Sequence, residues 1–316
     1  MRVFRSLAEV PETFGPSVVT IGNFDGVHLG HRRIMKLVVE TARAKKLTSV
    51  VLTFDPHPAR VLAPERAPKL IMTVPRRLMS IESAGLDAVL ALPFSMEFAK
   101  HTPEEFVQGV LAGKLKSRVV VVGEDFRFGH KQAGNIDTLR ALGSQVGFEV
   151  AAIGPVEWRG ERVSSSSVRR LLAEGKVSRA CRELGASFTL EGDVVKGKGI
   201  GTKQTVPTLN LATSNEVLPG TGVYVTRTRD LGSDRRWRSI TNIGFRPTFD
   251  GEGLTIETFL LDPLNSPAPA RIEVSFLAFI RPERRFESPE SLKAQILRDV
   301  GTASRLHRRL DKIHVG

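Results

Sequence analysis

The hydrophobic periodicity of the chain changes once, and that change limits the folds open to it. Up to about residue 150, short apolar runs, "SVVTIG", "TSVVLTF", "DAVLALPF" and "SRVVVVG", alternate with helical patterns at 31–46, 75–84 and 102–115. Strands separated by helices specify a parallel sheet with right-handed crossovers, so this half is expected to be an α/β layer structure. A hairpin-like stretch, "EVAAIGPVEWRGERV", and the helix start "SSSSVRRLLAEG" follow. From 186 to about 282 the runs "FTLEGDVVKG", "TVPTLNLA", "GVYVTRTRD", "WRSITNIGF", "LTIETFLLD" and "RIEVSFLAFI" succeed one another without helices. That succession predicts a six-stranded antiparallel barrel, closed by the amphipathic helix of "SPESLKAQILRDV". The boundary is expected near Gly185, giving domains 1–185 and 186–316.

In open parallel sheets, ligands bind beyond the carboxyl ends of the strands. Three strand ends carry unusual chemistry: "GNFDGVHLGH", "TFDPHPAR" and "VGEDFRFGHKQAGN". Asp25, His28, His31, Asp55, His57, Asp125 and Lys131 are therefore expected around one crevice. The first stretch is a strand-to-helix turn, where free backbone N–H groups and the positive end of the helix dipole make an anion site. Its glycines, Gly22, Gly26 and Gly30, let a ligand approach the backbone. His28 and His31 are spaced to donate to one phosphate, although histidines at a helix start are equally consistent with capping. The serines of "SSSSVRR" have the same two readings, helix caps or, with Arg169, a polyphosphate clamp.

A formal net charge of +12 implies acidic partners, whether nucleic acid, anionic membrane or small phosphorylated ligands. The basic residues are dispersed, aromatic stacking platforms are few, and neither a zinc-finger nor an RNP signature is present, which argues against nucleic acid. No segment is long and apolar enough to span a bilayer, and "MRVFRSLAEVPETFG" lacks the apolar run of a signal peptide. Cys181 is the single cysteine, which fits a reducing compartment, so a cytoplasmic protein is expected.

In the second half, "KGKGIGTK" is glycine-rich and basic without the full P-loop pattern. Glu257 interrupts an apolar strand and by period two shares a face with Phe259 and Leu261. A carboxylate on an inward face needs a partner or a task, whereas on an edge strand it would simply face solvent.

Taken in order, these motifs resemble those of the bacterial bifunctional riboflavin kinase/FAD synthetase family along nearly the whole chain. The first half is similar to its FMN adenylyltransferase module, a Rossmann-like HxGH nucleotidyltransferase, through "GNFDGVHLGH", "TFDPHP", "VGEDFRFG" and "SSSSVRRLL". The second is similar to its riboflavin kinase module through "VPTLNL", "GVYV", "NIGFRPTF", "IETFLLD" and "FIRPERRFESPESLKAQILRD". The resemblance implies that His28, His31 and Arg169 act in adenylyl transfer and that Glu257 is the base of the kinase. It implies further ATP or phosphate contacts from Gly22, Phe24, Asp25, Gly26, Gly30, Ser165, Ser166 and Tyr224, with Lys198 and Lys203 expected to replace the charge of the family's loop arginines. Flavin contacts are implied for Phe54, Asp55, His57, Asp125, Phe128 and Asn242, with Phe126 a further candidate wall. Thr208 and Asn210 would hold Mg²⁺, with ATP, riboflavin, FMN and FAD as substrates and products. The chain departs from the family pattern at Ser166, where Thr is usual, and in "GIGTKQTVPTLN", which lacks two arginines and a Gly-Phe pair. A monomer or weak homo-oligomer is expected. Competing readings are an HxGH adenylyltransferase for another phosphorylated cofactor precursor, which would not need the barrel, and a flavin- or RNA-binding regulator derived from the enzyme.

Overall fold

The computed structural model describes residues 1–195, 208–248, 251–264, 267–284 and 286–313. It divides into two compact units, Met1–Ser165 and Ser166–Gly316.

The first unit is built on a six-stranded parallel sheet. Its strands are β1 (Arg2–Phe4), β2 (Ser17–Ile21), β3 (Thr48–Phe54), β4 (Ala88–Leu92), β5 (Ser117–Gly123) and β6 (Glu149–Ile153), in the order β1-β4-β3-β2-β5-β6. Strand order reverses between β2 and β5, which leaves a crevice at their carboxyl ends. Strands β2, β4 and β5 are apolar on both faces because both faces are covered. Val19, Val50, Leu90 and Val120 pack with Phe106, Leu111 and Leu139 on one side. Val18, Val51, Val89 and Val121 pack with Met35, Val38 and Ile81 on the other. The helices are α1 (Leu29–Lys45), α2 (Pro58–Leu62), α3 (Val74–Ser83), a turn α4 (Pro103–Glu105) that runs into a π-helix (Phe106–Lys114), and α5 (Ile136–Val146).

Two features differ from the sequence expectation. The edge strand β1 lies in a segment with no evident strand pattern, since an edge pairs through its backbone and asks little of its side chains. The stretch expected as one hairpin is instead the parallel strand β6 followed by a very short hairpin, β7 (Glu157–Trp158) with β8 (Glu161–Arg162).

Next come α6 (Ser165–Ala173) and α7 (Val177–Leu184). From Ser166 onward they belong to the unit that holds the barrel, and α7 packs on its strands: Ser178 Oγ donates to the Leu277 carbonyl at 2.7 Å. The barrel strands are β9 (Phe188–Val195), β10 (Thr208–Thr213), β11 (Gly222–Asp230), β12 (Arg236–Thr248), β13 (Gly251–Leu260) and β14 (Arg271–Arg281), closed in the order β10-β13-β12-β11-β14-β9. Large side chains such as Tyr224, Phe276 and Leu190 fill the lumen beside a ladder of hydroxyls. Thr226 bonds Ser239 at 2.8 Å and Thr241 at 2.9 Å, and Thr241 bonds Thr258 at 2.9 Å, so each buried hydroxyl is satisfied by another. Outside, α8 (Pro289–Ile313) covers Val223, Val225 and Ile240 with Val300, Ala303 and Leu306.

Candidate active sites

The turn after β2 is held by unusual backbone. Phe24, Gly26 and Val27 have φ of 50°, 83° and 42°, and a β-branched residue in the left-handed region is a marked outlier. Phe24 and Val27 are driven there by burial, at 1 % and 0 % exposure. The turn delivers His28 to the N-cap of α1, where its Nδ1 accepts the His31 N–H at 3.4 Å. The two imidazoles stack with centroids 3.7 Å apart, and Phe24 meets His31 edge-on at 5.1 Å. Burial, then the neighbouring His28, hold the His31 pKa well below its ordinary value, so His31 is neutral near pH 7. Capping and ligand readings therefore coexist: His28 caps α1, and both rings still line a cavity.

That cavity, about 1140 Å³, lies within the first unit. Ligand pockets commonly hold about 300–1,000 Å³, so this one has room for two substrates side by side. One wall is the glycine- and histidine-bearing turn, with Gly22, Phe24, Gly30 and Ser165. A second part of the lining is aromatic. Phe54 contacts Phe94 at 5.5 Å, Phe94 contacts Phe98 at 5.8 Å, Phe98 contacts Phe106 at 6.3 Å, and Phe106 continues to Phe128 at 5.9 Å. Phe126 stacks on Phe128 with an interplanar angle of 11°. Asp125 and Lys131 are at the rim, where Asp125 pairs with Arg162.

Other expected residues stand elsewhere. The carboxylate of Asp25 is turned to the backbone, accepting the N–H of Ile71 at 3.0 Å and of Met72 at 3.3 Å. His57 caps α2 through the Ala59 N–H, and neither it nor Asp55 lines the cavity. Ser165 Oγ donates to the Asp25 carbonyl at 2.9 Å, tying the start of α6 to the turn. In the second unit Ser166 is exposed and Arg169 half-buried, while Ser167 donates to Glu183 at 2.6 Å. Phe94, Phe98 and Arg162 were not singled out in the sequence. The signal for the first was the end of the β4 run, "LALPF", read as strand rather than as a fourth strand end.

In the barrel, Glu257 is directly opposite Asn210 on β10 and Asn242 on β12, so the three side chains form one row across three strands. Thr208, two residues from Asn210, shares that face. The face is the outer wall, not the lumen: beyond Asn242 its row continues to Val223, which packs against α8. Glu257 is nevertheless only 7 % exposed. Period-two alternation places Glu257 on one face of its strand but does not say whether that face is the lumen or a buried outer wall. Tyr224 is inside the lumen at 0 % exposure, its hydroxyl donating to the Gly220 carbonyl, and burial pushes its pKa up to about 12. Any nucleotide contact from Tyr224 would run through its backbone. Lys198 and Lys203 lie outside the described residues.

Comparison with known proteins decides the family. One family model, described as FAD synthetase, matches residues 10–167, and a second, riboflavin kinase, matches residues 184–307. The chain belongs to the bifunctional riboflavin kinase/FMN adenylyltransferase family. It is 35 % identical over 303 residues to the enzyme of that name from Escherichia coli strain K12, covering 96 % of each chain. It is 36 % identical over 307 residues to the one from Pseudomonas fluorescens, covering 97 % of this chain and 98 % of that protein. A solved structure, described as a macrolide-efflux protein from Streptococcus pneumoniae, is similar with a TM-score of 0.86 and 27 % identity over 96 % of this chain and 98 % of its own. Among the described residues no helix is long and apolar enough to cross a membrane.

Proposed function

We propose that the chain makes FMN from riboflavin at the outer face of the barrel and FAD from FMN in the cavity of the α/β unit, with the residues in the roles that follow. Membership of the family supports the pair of reactions. The observation that carries the residue assignment is the cavity itself, which joins an anion-binding turn to an aromatic wall. Adenylylation needs both, because a phosphate oxygen of FMN attacks the α-phosphorus of ATP, the bond to pyrophosphate breaks, and the isoalloxazine ring must be held meanwhile.

The attacking phosphate is already ionised near neutral pH, its second pKa being roughly 6, so the step needs no general base. It needs alignment and neutralisation of charge. His28, His31 and the first-turn N–H groups of α1 supply donors to the phosphates, and Ser165, Ser166 and Arg169 belong to the motif assigned to pyrophosphate. Phe54, Phe126 and Phe128, joined by Phe94 and Phe98, offer flat apolar faces to the flavin.

The kinase nucleophile is a ribityl hydroxyl, a weak acid that gains from a carboxylate accepting its proton while its oxygen attacks the γ-phosphorus of ATP, the bond to the bridging oxygen breaks and ADP leaves. Glu257 fits, held beside the amides of Asn210 and Asn242. The hydroxyl of Thr208 and the amide oxygen of Asn210 are half-buried oxygen donors on one face, the chemistry Mg²⁺ prefers. An ion held there would be shared with the nucleotide phosphates. There the ion would neutralise charge on the transferring phosphoryl group. The sparse cysteine supports a reducing, cytoplasmic setting.

Incubation with riboflavin, ATP and Mg²⁺, followed by chromatographic separation of the flavins, tests the assignment. Both FMN and FAD are expected, and both should vanish when a chelator removes Mg²⁺. FAD formation that persists undiminished in excess chelator would remove the metal from the scheme.

A further inference from the structure

Arg77 in α3 is buried at 3 % exposure, close to the cavity yet not part of its lining. Its Nη1 donates to the Asn23 carbonyl at 3.0 Å and its Nη2 to the Phe54 carbonyl at 3.0 Å. Asn23 opens the phosphate turn, and Phe54 ends β3 and begins the aromatic wall; both line the cavity. A single guanidinium thus bridges the two loops that carry the two halves of the site. The same carbonyl of Asn23 also accepts from Thr53 Oγ1 at 3.2 Å. The bracing is reciprocal, because Asp25 in the turn holds the N–H groups of Ile71 and Met72 just ahead of α3. Burial lowers the Arg77 pKa, and Asp55 and Asp25 act against that loss. A buried cation is a costly way to fill space, which leucine or methionine would do as well. Two diverging bonds from separate nitrogens of one rigid plane are what a guanidinium provides and a lysine ammonium does not.

We propose that Arg77 is a positioning residue for adenylyl transfer, its two donated bonds fixing the spacing between the phosphate turn and the aromatic wall. The inference rests on the reading of this cavity as the FMN adenylylation site. With the brace in place, the phosphate oxygen of FMN reaches the α-phosphorus of ATP in line; without it each substrate still binds its own wall, but the reacting atoms are out of register. Loss of register acts on kcat more than on KM, since the ground-state contacts survive.

The test uses the full chain carrying Arg77→Met or Arg77→Lys, with thermal melting, steady-state FAD formation from FMN and ATP, and riboflavin phosphorylation measured on each. Arg77→Met is expected to lower kcat for FAD formation by about tenfold or more with little change in either KM, and to leave riboflavin phosphorylation near normal. Arg77→Lys, which keeps the charge but not the fork, should recover only part of that loss. Wild-type kcat per folded molecule in both variants would overturn the proposal. If Arg77→Met does not fold, Arg77→Lys decides: native melting with reduced kcat supports positioning, and native melting with wild-type kcat overturns it. If neither folds, Arg77 serves only the fold and the proposal is lost. The double variant His28→Ala with His31→Ala, run alongside, separates the two levels, because undiminished FAD formation in that variant means the cavity reading has failed whatever Arg77 does.

Discussion

A methyl group added at Gly30 would stand 3.1 Å from Cε1 and 3.2 Å from Nδ1 of His28. Gly30 lies in the first turn of α1, where alanine would favour the helix by up to about 1 kcal/mol, so stability and site geometry pull in opposite directions. Gly30→Ala is therefore expected to melt at or slightly above the wild-type temperature while FAD formation slows. Tilting the ring by a few tenths of an ångström should cost roughly tenfold, less than the 10²-fold that a 1 Å misplacement can cost. Melting curves and FAD assays on one preparation check it; a variant both destabilised and slow would point to misfolding instead. The glycine was visible in the sequence as one that lets a ligand approach. The ring it accommodates was not, because His28 comes back over it only once Phe24 and Val27 are forced into left-handed backbone. Asp25 and Tyr224 show the converse. Family resemblance implied an ATP contact for each; in the structure the Asp25 carboxylate also accepts two loop N–H groups and the Tyr224 phenol also fills the barrel.

Among elements, α8 depends most on what it covers. His307 on its barrel side is 0 % exposed, and burial lowers its pKa below the ordinary 6.5. A contact to the Ser239 backbone and the charge of Asp311 raise it, while Arg227 and Arg238 lower it further, and Asp262 also faces the ring. The native state thus resists a proton that the unfolded chain accepts. Stability contributed by neutral His307 is present above about pH 6.5 and is lost as pH falls through the lower native pKa. Wild type is expected to lose melting temperature between about pH 7.5 and 5.5, and His307→Leu should lose less across that interval. Equal losses in both would show that His307 does not couple α8 to pH; His31, shifted in the same direction, contributes alike to both proteins and cancels in the comparison. The length of α8, to Ile313, exceeded the amphipathic stretch around "SLKAQILRDV", because its last turns carry charge and are ordered by ion pairs such as Arg227 with Asp311 at 2.5 Å.

At the scale of the molecule, the chain matches a FAD synthetase model in its first half and a riboflavin kinase model in its second, and FMN is the product of one reaction and the substrate of the other. Glu257→Gln keeps shape and removes the proton acceptor, so riboflavin phosphorylation should fall by about 10² to 10⁴. Adenylylation of supplied FMN should stay near normal. The double histidine variant should do the reverse, accumulating FMN from riboflavin. Circular dichroism on both variants must show native spectra, and loss of FAD formation from supplied FMN in Glu257→Gln would refute the division. The sequence by itself determined the parallel sheet, the barrel and the family, because hydrophobic period, turn residues and motif order are local properties that survive reading one residue at a time. Only the tertiary structure decided which of those residues meet: that Asn210, Glu257 and Asn242 form one row on an outer wall, that phenylalanines from several strand ends build one surface, and that Arg77 reaches two loops from behind. Strand register, helix cover and the burial of a cation depend on contacts between segments far apart in the chain, and no local pattern encodes which partner a buried polar group will find.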